Sequence, residues 1–246
     1  MSTKRKTKIP LPVLYQNPSA VTPARFPRTR IVMAEDFRFA AQTDSLPLTL
    51  AEFPLACRSL PIVFTGQGPA VPLAVVGYDG QNMLVDNAGA WRNGAYRPWY
   101  LQRYPFIFAK REQEQDVILC LDEAFPGLNH ERGEPLFVGG QASAFLRNVM
   151  ELCQTYQQHY DQTEAFVAAL ERFDLLQPMA ATITLTDGTS RAVNGFKAID
   201  ADRWDALEPA ALAALHRSGW LEAAICHRLS LSNWPDVIAK RVSALA

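Results

Sequence analysis

The chain has 246 residues, 48% of them apolar and 20% charged, which is the composition of an ordinary globular protein and not of a fibrous, disordered or membrane chain. Its 24 basic and 25 acidic residues leave a net charge of −1, so we expect no nucleic-acid partner. The most apolar stretch, Ala70 to Gly77, is interrupted by Pro72 and is much shorter than the roughly 20 residues of a membrane-spanning helix, so we expect no membrane span.

The N-terminal 30 residues are rich in proline, which blocks both helix and central strand. We predict an extended arm over residues 1–30, followed by a single α+β domain over residues 31–246. The basic residues Lys4 to Lys8 precede Ile9-Pro10-Leu11-Pro12 and not the apolar run of a signal peptide. Four widely spaced cysteines are typical of free thiols in a reducing compartment. These features predict a cytoplasmic protein.

Short apolar runs in the first half predict a small, mainly antiparallel sheet. Pro61 to Phe64 has the pattern of a buried strand, and Val117 to Leu121 has the same pattern. Leu73 to Tyr78 and Asn82 to Val85 flank Asp79-Gly80, a dipeptide suited to a tight hairpin turn. A second turn is predicted at Asn87-Ala88-Gly89.

Helices are predicted mainly in the second half. Apolar residues recur every three or four positions from Ala142 to Tyr160, and again from Phe166 to Phe173. Asp161 and Glu164 have the spacing of a capping box between these stretches, so we predict a helical hairpin. A β-hairpin at Asp187-Gly188 follows. Two C-terminal helices are then predicted: one starts at Pro209, and the other carries its apolar face on Leu221, Ile225 and Leu229.

Known catalytic motifs are absent from the sequence. Gly66-Gln67-Gly68 lacks the third glycine of a dinucleotide loop, and there is neither a phosphate-binding loop nor a nucleophile elbow, so we predict no cofactor. One metal hypothesis stays open, in which His159, Asp161 and His216 hold iron and Arg228 anchors a co-substrate, as in non-haem iron oxygenases. His227 and Ser230, three residues apart on a helix, could be a base and a nucleophile, or a buried histidine with a neighbouring hydroxyl.

The most unusual segment interleaves aromatic residues with arginine and proline between Trp91 and Phe106. Aromatic faces and guanidinium groups suit stacking and cation–π contacts, so this segment can line a pocket for a peptide or a small aromatic ligand. The alternative is that the rings cover the sheet edge and build core. The predicted ligand-binding residues are Trp91, Tyr96, Arg97, Trp99, Tyr100, Arg103, Tyr104 and Phe106, together with His227 and Ser230.

The same segment carries a resemblance to a known family. In order, the chain has Trp91, Tyr96-Arg97-Pro98, Arg103-Tyr104-Pro105-Phe106, Leu136-Phe137 before Gly139 and Gly140, Leu215 through Gly219 to Leu221, and His227 with Ser230-Leu231. This series resembles the bacterial SapC family over roughly residues 36–235. The resemblance supplies no set of catalytic residues.

The resemblance implies partners more than chemistry. The family takes its name from a bacterial surface-layer gene cluster, and its members are often encoded beside flavin-dependent halogenase-like proteins and outer-membrane receptors. The expected partner is thus a small aromatic ligand, a peptide or a partner protein. By this association, the resemblance suggests a halogenase-like protein as the partner. We interpret the chain as a cytoplasmic binding or accessory module. The alternatives are an iron oxygenase-like enzyme and a surface-layer or secretion component.

Overall fold

The computed structural model describes residues 11–33, 35–110, 117–184 and 190–238. Within these ranges the strands, in chain order, are β1 (Pro18–Ala20), β2 (Arg30–Ile31), β3 (Ser45–Pro47), β4 (Ile62–Thr65), β5 (Pro72–Val75), β6 (Gly77–Tyr78), β7 (Gln81–Asn82), β8 (Phe106–Lys110), β9 (Val117–Asp122), β10 (Leu128–Asn129), β11 (Glu134–Pro135), β12 (Phe137–Val138), β13 (Gln141–Ala142), β14 (Leu176–Thr184) and β15 (Ser190–Ile199).

The helices of the described ranges are α1 (Phe53–Ala56), α2 (Trp99–Arg103), α3 (Ala144–Arg172), α4 (Ala201–Asp205), α5 (Pro209–Arg217), α6 (Leu221–Ser230) and α7 (Trp234–Ile238). Single turns of 3₁₀ helix lie at Arg38–Ala40, Leu50–Glu52 and Leu231–Asn233. No helix in these ranges is both long enough and apolar enough to cross a membrane.

The chain forms two compact units, and the first contains residues 1–33 and 104–147. Its main feature is an antiparallel sheet in the order β1-β9-β8; β2 lies between β10 and β11, and β12 pairs with β13. Asp122, at the end of β9, is fully buried and accepts hydrogen bonds from the N–H groups of Gln16 (2.8 Å) and Asn17 (2.8 Å). These bonds hold the segment before β1 against the sheet. The arm boundary predicted at residue 30 stays a prediction.

The second unit contains residues 34–103 and 148–246. Its five-stranded sheet has the order β14-β15-β4-β5-β3, with every neighbouring pair antiparallel. β4 confirms the buried strand predicted at Pro61 to Phe64, but β4 and β9 belong to different sheets. Two strands of the five come from the second half of the chain. Phe53, Phe64 and Phe166 are fully buried here, and the rings of Phe53 and Phe166 meet edge to face at 5.8 Å.

The hairpin at Asp79-Gly80 is confirmed. Gly77 pairs with Asn82 and Tyr78 with Gln81, and the two turn residues have φ values of 56° and 69°. Two positive φ angles are the mark of the turn that matches the twist of paired strands. The strands of the second predicted hairpin also pair, with Thr184 opposite Ser190, while its turn at Asp187-Gly188 lies outside the described residues.

The predicted helical hairpin is wrong: a single helix of 29 residues, α3, takes its place. Asp161 does not cap a new helix, because its carboxylate accepts a hydrogen bond from Gln157 Nε2 four residues earlier, at 2.8 Å. Thr163 likewise bonds back to the carbonyl of His159, at 2.6 Å. Both polar side chains are therefore accommodated inside a continuous helix, where neither glycine nor proline interrupts the pattern.

The C-terminal helices are confirmed in position, but α6 turns a different face inward from the predicted one. Ile225 and Leu229 are 43% and 62% exposed, whereas Ala224, His227 and Ser230 are fully buried. The small and polar residues face inward because the main-chain N–H groups of neighbouring strands find their acceptors on this side of α6. With its helices and antiparallel sheets, the structure confirms the α+β class.

Candidate functional site

The Trp91–Phe106 segment is divided between the two units, because Trp91 to Arg103 belong to the second unit and Tyr104 to Phe106 to the first. In the first unit Tyr104 and Phe106 are fully buried. The ring of Tyr104 meets the rings of Tyr15 and Phe125 edge to face, at 5.3 and 5.6 Å, and its hydroxyl donates to Asp122 Oδ2 at 3.2 Å. Tyr104 and Phe106 therefore pack as core in this structure.

A buried carboxylate that the sequence reading missed organises the part in the second unit. Glu52 is fully buried, and its Oε1 accepts from the hydroxyl of Tyr96 (3.1 Å) and the N–H of Trp99 (2.7 Å). Its Oε2 accepts from both the N–H and the hydroxyl of Thr49, at 2.7 and 2.9 Å. Burial raises the pKa of Glu52, and the four hydrogen bonds oppose that shift. The Thr-x-x-Glu spacing, typical of a capping box, was the signal in the sequence.

Arg103 is held between two tyrosine rings. Its guanidinium carbon lies 4.5 Å from the ring centre of Tyr100 and 4.1 Å from that of Tyr156 on α3. Burial raises the pKa of Tyr100 to about 12, and the positive charge of Arg103 acts in the opposite direction. The contacts of Arg103 with Tyr100 and Tyr156 form a cation–π arrangement that joins α2 to α3.

Trp91 and Arg97 both contact Phe37. The Trp91 ring meets Phe37 edge to face at 5.7 Å, and the guanidinium carbon of Arg97 lies 5.3 Å from the Phe37 ring centre. Arg97 also lies 3.5 Å from the exposed carboxylate of Glu35, and the indole N–H of Trp91 donates to the carbonyl of Ala95. These two predicted residues are close together and remain half-buried.

A surface groove of about 420 Å³ adjoins this cluster at Tyr96. Its lining comes from two segments of the chain, one with Leu55, Arg58 and Ser59 and the other with Gly94, Ala95 and Tyr96. Ser59 joins these segments by accepting a hydrogen bond from the N–H of Tyr96, at 2.9 Å. Leu55 is 51% exposed, and Arg58 has no ion-pair partner among the described residues. The groove therefore combines the aromatic ring of Tyr96, the aliphatic side chain of Leu55 and the positive charge of Arg58.

His227 and Ser230 lie apart from that groove, in the packing of α6 against the sheet. His227 Nε2 accepts from the N–H of Ile199 at 3.0 Å, and its ring lies 5.0 Å from the ring of Phe64. Burial lowers the pKa of His227 to about 4, so the ring is neutral. Ser230 Oγ accepts from the N–H of Ile62 at 2.9 Å and donates to the carbonyl of His227 at 2.6 Å. Neither hydrogen bond joins the histidine ring to the serine hydroxyl.

The iron hypothesis finds no site in the part of the chain that the structure describes. His159 and Asp161 lie on α3 and His216 lies on α5, and no three His, Cys, Asp or Glu side chains of the described residues form a group able to hold a metal ion. The ring of His159 packs at 5.2 Å from that of Trp99. Arg228, the predicted co-substrate anchor, lies over the ring of Trp204 at 5.3 Å.

Comparison with known proteins identifies a family and nothing closer. The SapC family model matches residues 22–237, which is most of the chain. No curated protein matches the sequence, and no solved structure matches the fold. The resemblance read from the sequence is therefore confirmed, while the role of each candidate residue still depends on the geometry described above.

Proposed function

The chain belongs to the SapC family, and from that premise we propose that it is a binding or accessory module that holds a small aromatic ligand or a peptide segment in the groove at Tyr96. One observation carries the proposal: Tyr96, a residue of the aromatic segment in the second unit, lines an open groove. Its volume of about 420 Å³ lies within the range of small-molecule sites.

The chemistry of the groove favours a ligand with an apolar body and an acidic group. The Tyr96 ring and the Leu55 side chain offer apolar surface to an aromatic or aliphatic group. The Arg58 guanidinium can donate two parallel hydrogen bonds to one carboxylate. Tyr96 is held in place, because Glu52 accepts a hydrogen bond from its hydroxyl and Ser59 accepts one from its main-chain N–H. A fixed ring loses little conformational freedom on binding, which favours affinity.

A segment of a partner protein is a second source of the same chemistry. The halogenase-like proteins that the family association suggests are one place to look for such a segment. An exposed aromatic side chain near an acidic residue, or a C-terminal carboxylate, would fit this groove as a free aromatic acid would.

A thermal-shift experiment on the full chain tests the proposal. The probes are indole-3-acetate, phenylacetate and N-acetyl-tryptophan, each compared with its neutral amide. A ligand at a hundred times its Kd stabilises by about 2.7 kcal/mol, which for a chain of this size raises Tm by about 5–10 °C. We expect a larger shift with the acids than with the amides.

Two exposed groove residues allow a clean control. Arg58→Gln removes the charge and Leu55→Ala the aliphatic wall, and neither side chain makes a buried polar contact in the described structure. Arg132→Gln, an exposed arginine of the first unit, is the matched control. We expect the ligand-induced shift to fall with Arg58→Gln and to persist with Arg132→Gln. Equal shifts in both variants, or none with any probe, would refute a site at this groove.

A further inference from the structure

A second and smaller cavity of about 150 Å³ lies elsewhere in the second unit, between the loop before β5 and the C-terminal half of α3. Ala70, Pro72 and Val167 form apolar parts of its wall and are buried. A cavity of this size accepts a molecule no larger than a benzene ring or a short aliphatic chain. Its ligand is therefore smaller than the ligand proposed for the groove at Tyr96.

The polar groups at this cavity are acidic or already satisfied. Thr163 donates to the carbonyl of His159 and accepts from the N–H of Leu50 at 2.7 Å, so its hydroxyl is fully used within the protein. That leaves the phenol of Tyr160 and the carboxylates of Glu164 and Glu171 among the lining residues. Among the described residues, no lysine or arginine lines the cavity, and Arg172, the residue after Glu171, lies over the ring of Phe173 at 4.8 Å.

The two carboxylates are placed at opposite ends of the apolar wall. Glu171 lies seven positions after Glu164, which is close to two turns, so both lie on one face of α3 about 10 Å apart along its axis. Val167 lies between them on the same side. Tyr160 lies one helical turn before Glu164 on α3 and lines the cavity at that end. Glu171 lies in the last turn of a 29-residue helix, where the helix dipole adds to the negative potential and favours a cation.

We propose that this cavity binds a linear aliphatic diamine, with the methylene chain against Pro72 and Val167 and one ammonium group at each of Glu164 and Glu171. Either ion pair alone is exposed and weak, whereas the two together, joined by a chain that fills the apolar wall, select for both charge and length. A monoamine keeps one pairing and the apolar contact. A neutral diol of the same length keeps the apolar contact alone.

Calorimetric titration of the full chain with 1,6-diaminohexane tests this site, with 1-aminohexane and 1,6-hexanediol as matched ligands. We expect the diamine to bind about two- to fivefold more tightly than the monoamine, which is what one further exposed ion pair gives, and the diol to bind most weakly. Raising the salt concentration should weaken the binding of the diamine and leave the binding of the diol unchanged, because screening acts on the charges alone.

Substitutions separate this site from a general effect of acidic charge. Glu164→Gln and Glu171→Gln should each lower the affinity for the diamine to that of the monoamine. Glu151→Gln, an exposed glutamate on the same helix outside the cavity, should leave the affinity unchanged. Arg58→Gln should also leave it unchanged, so failure of the groove proposal does not decide this one. Equal binding of diamine and diol, or an equal loss with Glu151→Gln, would overturn the proposal.

Discussion

The hydroxyl of Ser230 gives the sharpest test of what the family motif His227-x-x-Ser230 does in this chain. Ser230 Oγ is the acceptor for the N–H of Ile62 on β4, at 2.9 Å, and both residues are fully buried. Ser230→Ala removes that acceptor and leaves the N–H of Ile62 without a partner in the core. An unsatisfied buried donor costs about 1–3 kcal/mol, so we expect the variant to lose about 2 kcal/mol of unfolding free energy.

Ser232→Ala is the matched control, because the chain offers the same local bond without the long-range one. Ser232 Oγ donates to the carbonyl three residues earlier, that of Leu229, just as Ser230 Oγ donates to that of His227. Ser232 is exposed, however, and accepts no main-chain N–H in the described structure. We therefore expect the unfolding free energy of Ser232→Ala to be close to that of wild type.

Urea unfolding followed by tryptophan fluorescence measures the difference, and hydrogen exchange of the Ile62 amide locates it. A loss of about 2 kcal/mol corresponds to a fall in Tm of about 4–8 °C for a chain of this length. The Ile62 amide should exchange faster in Ser230→Ala and at the wild-type rate in Ser232→Ala. Equal stabilities of the two variants would refute the conclusion that the motif joins α6 to the sheet.

Two further predictions concern other buried polar groups. Burial lowers the pKa of His227 to about 4 from its ordinary 6.5, so the stability that the neutral ring contributes is complete above pH 6.5 and is lost as the pH falls towards 4, by up to about 3 kcal/mol. Urea unfolding across that pH range should therefore show a smaller pH dependence of the unfolding free energy in His227→Gln than in wild type. An unchanged pH dependence would contradict this prediction. In the first unit, Asp122→Ala leaves the N–H groups of Gln16 and Asn17 without their acceptor and should lower the free energy of unfolding by about 3 kcal/mol. The neighbouring Glu123→Ala, which loses an exposed pairing with Arg25, should have little effect on unfolding.

Local signals in the sequence predicted local structure well. The Asp79-Gly80 turn follows from two residues that tolerate positive φ, and Pro209 at the start of α5 follows from the position where a helix accepts proline. The inward face of α6 could not be predicted in this way. Apolar periodicity selected Ile225 and Leu229, but the acceptors required by Ile62 and Ile199 decided the orientation, and those partners lie 168 and 28 residues away in the sequence.

The prediction of a helical hairpin was wrong for a related reason. Asp and Thr favour helix caps because their short side chains compete for nearby main-chain groups, but the same side chains also fit within a helix when partners exist one turn away. Gln157 and the carbonyl of His159 are such partners for Asp161 and Thr163. Thr49 and Glu52 do form a capping box, at a single turn of 3₁₀ helix, and no long apolar stripe follows them in the sequence.

The buried Glu52 connects the two proposed binding sites within the second unit. Through Oε1 it fixes Tyr96 at the groove, and through Oε2 it fixes Thr49, whose neighbour Leu50 donates to Thr163 in the wall of the smaller cavity. A substitution of Glu52 would thus disturb both sites together and could not distinguish a lost ligand contact from a displaced wall. Arg58 and Glu171 are exposed and each borders one site only, so they are the positions at which a change in binding can be assigned to a direct contact.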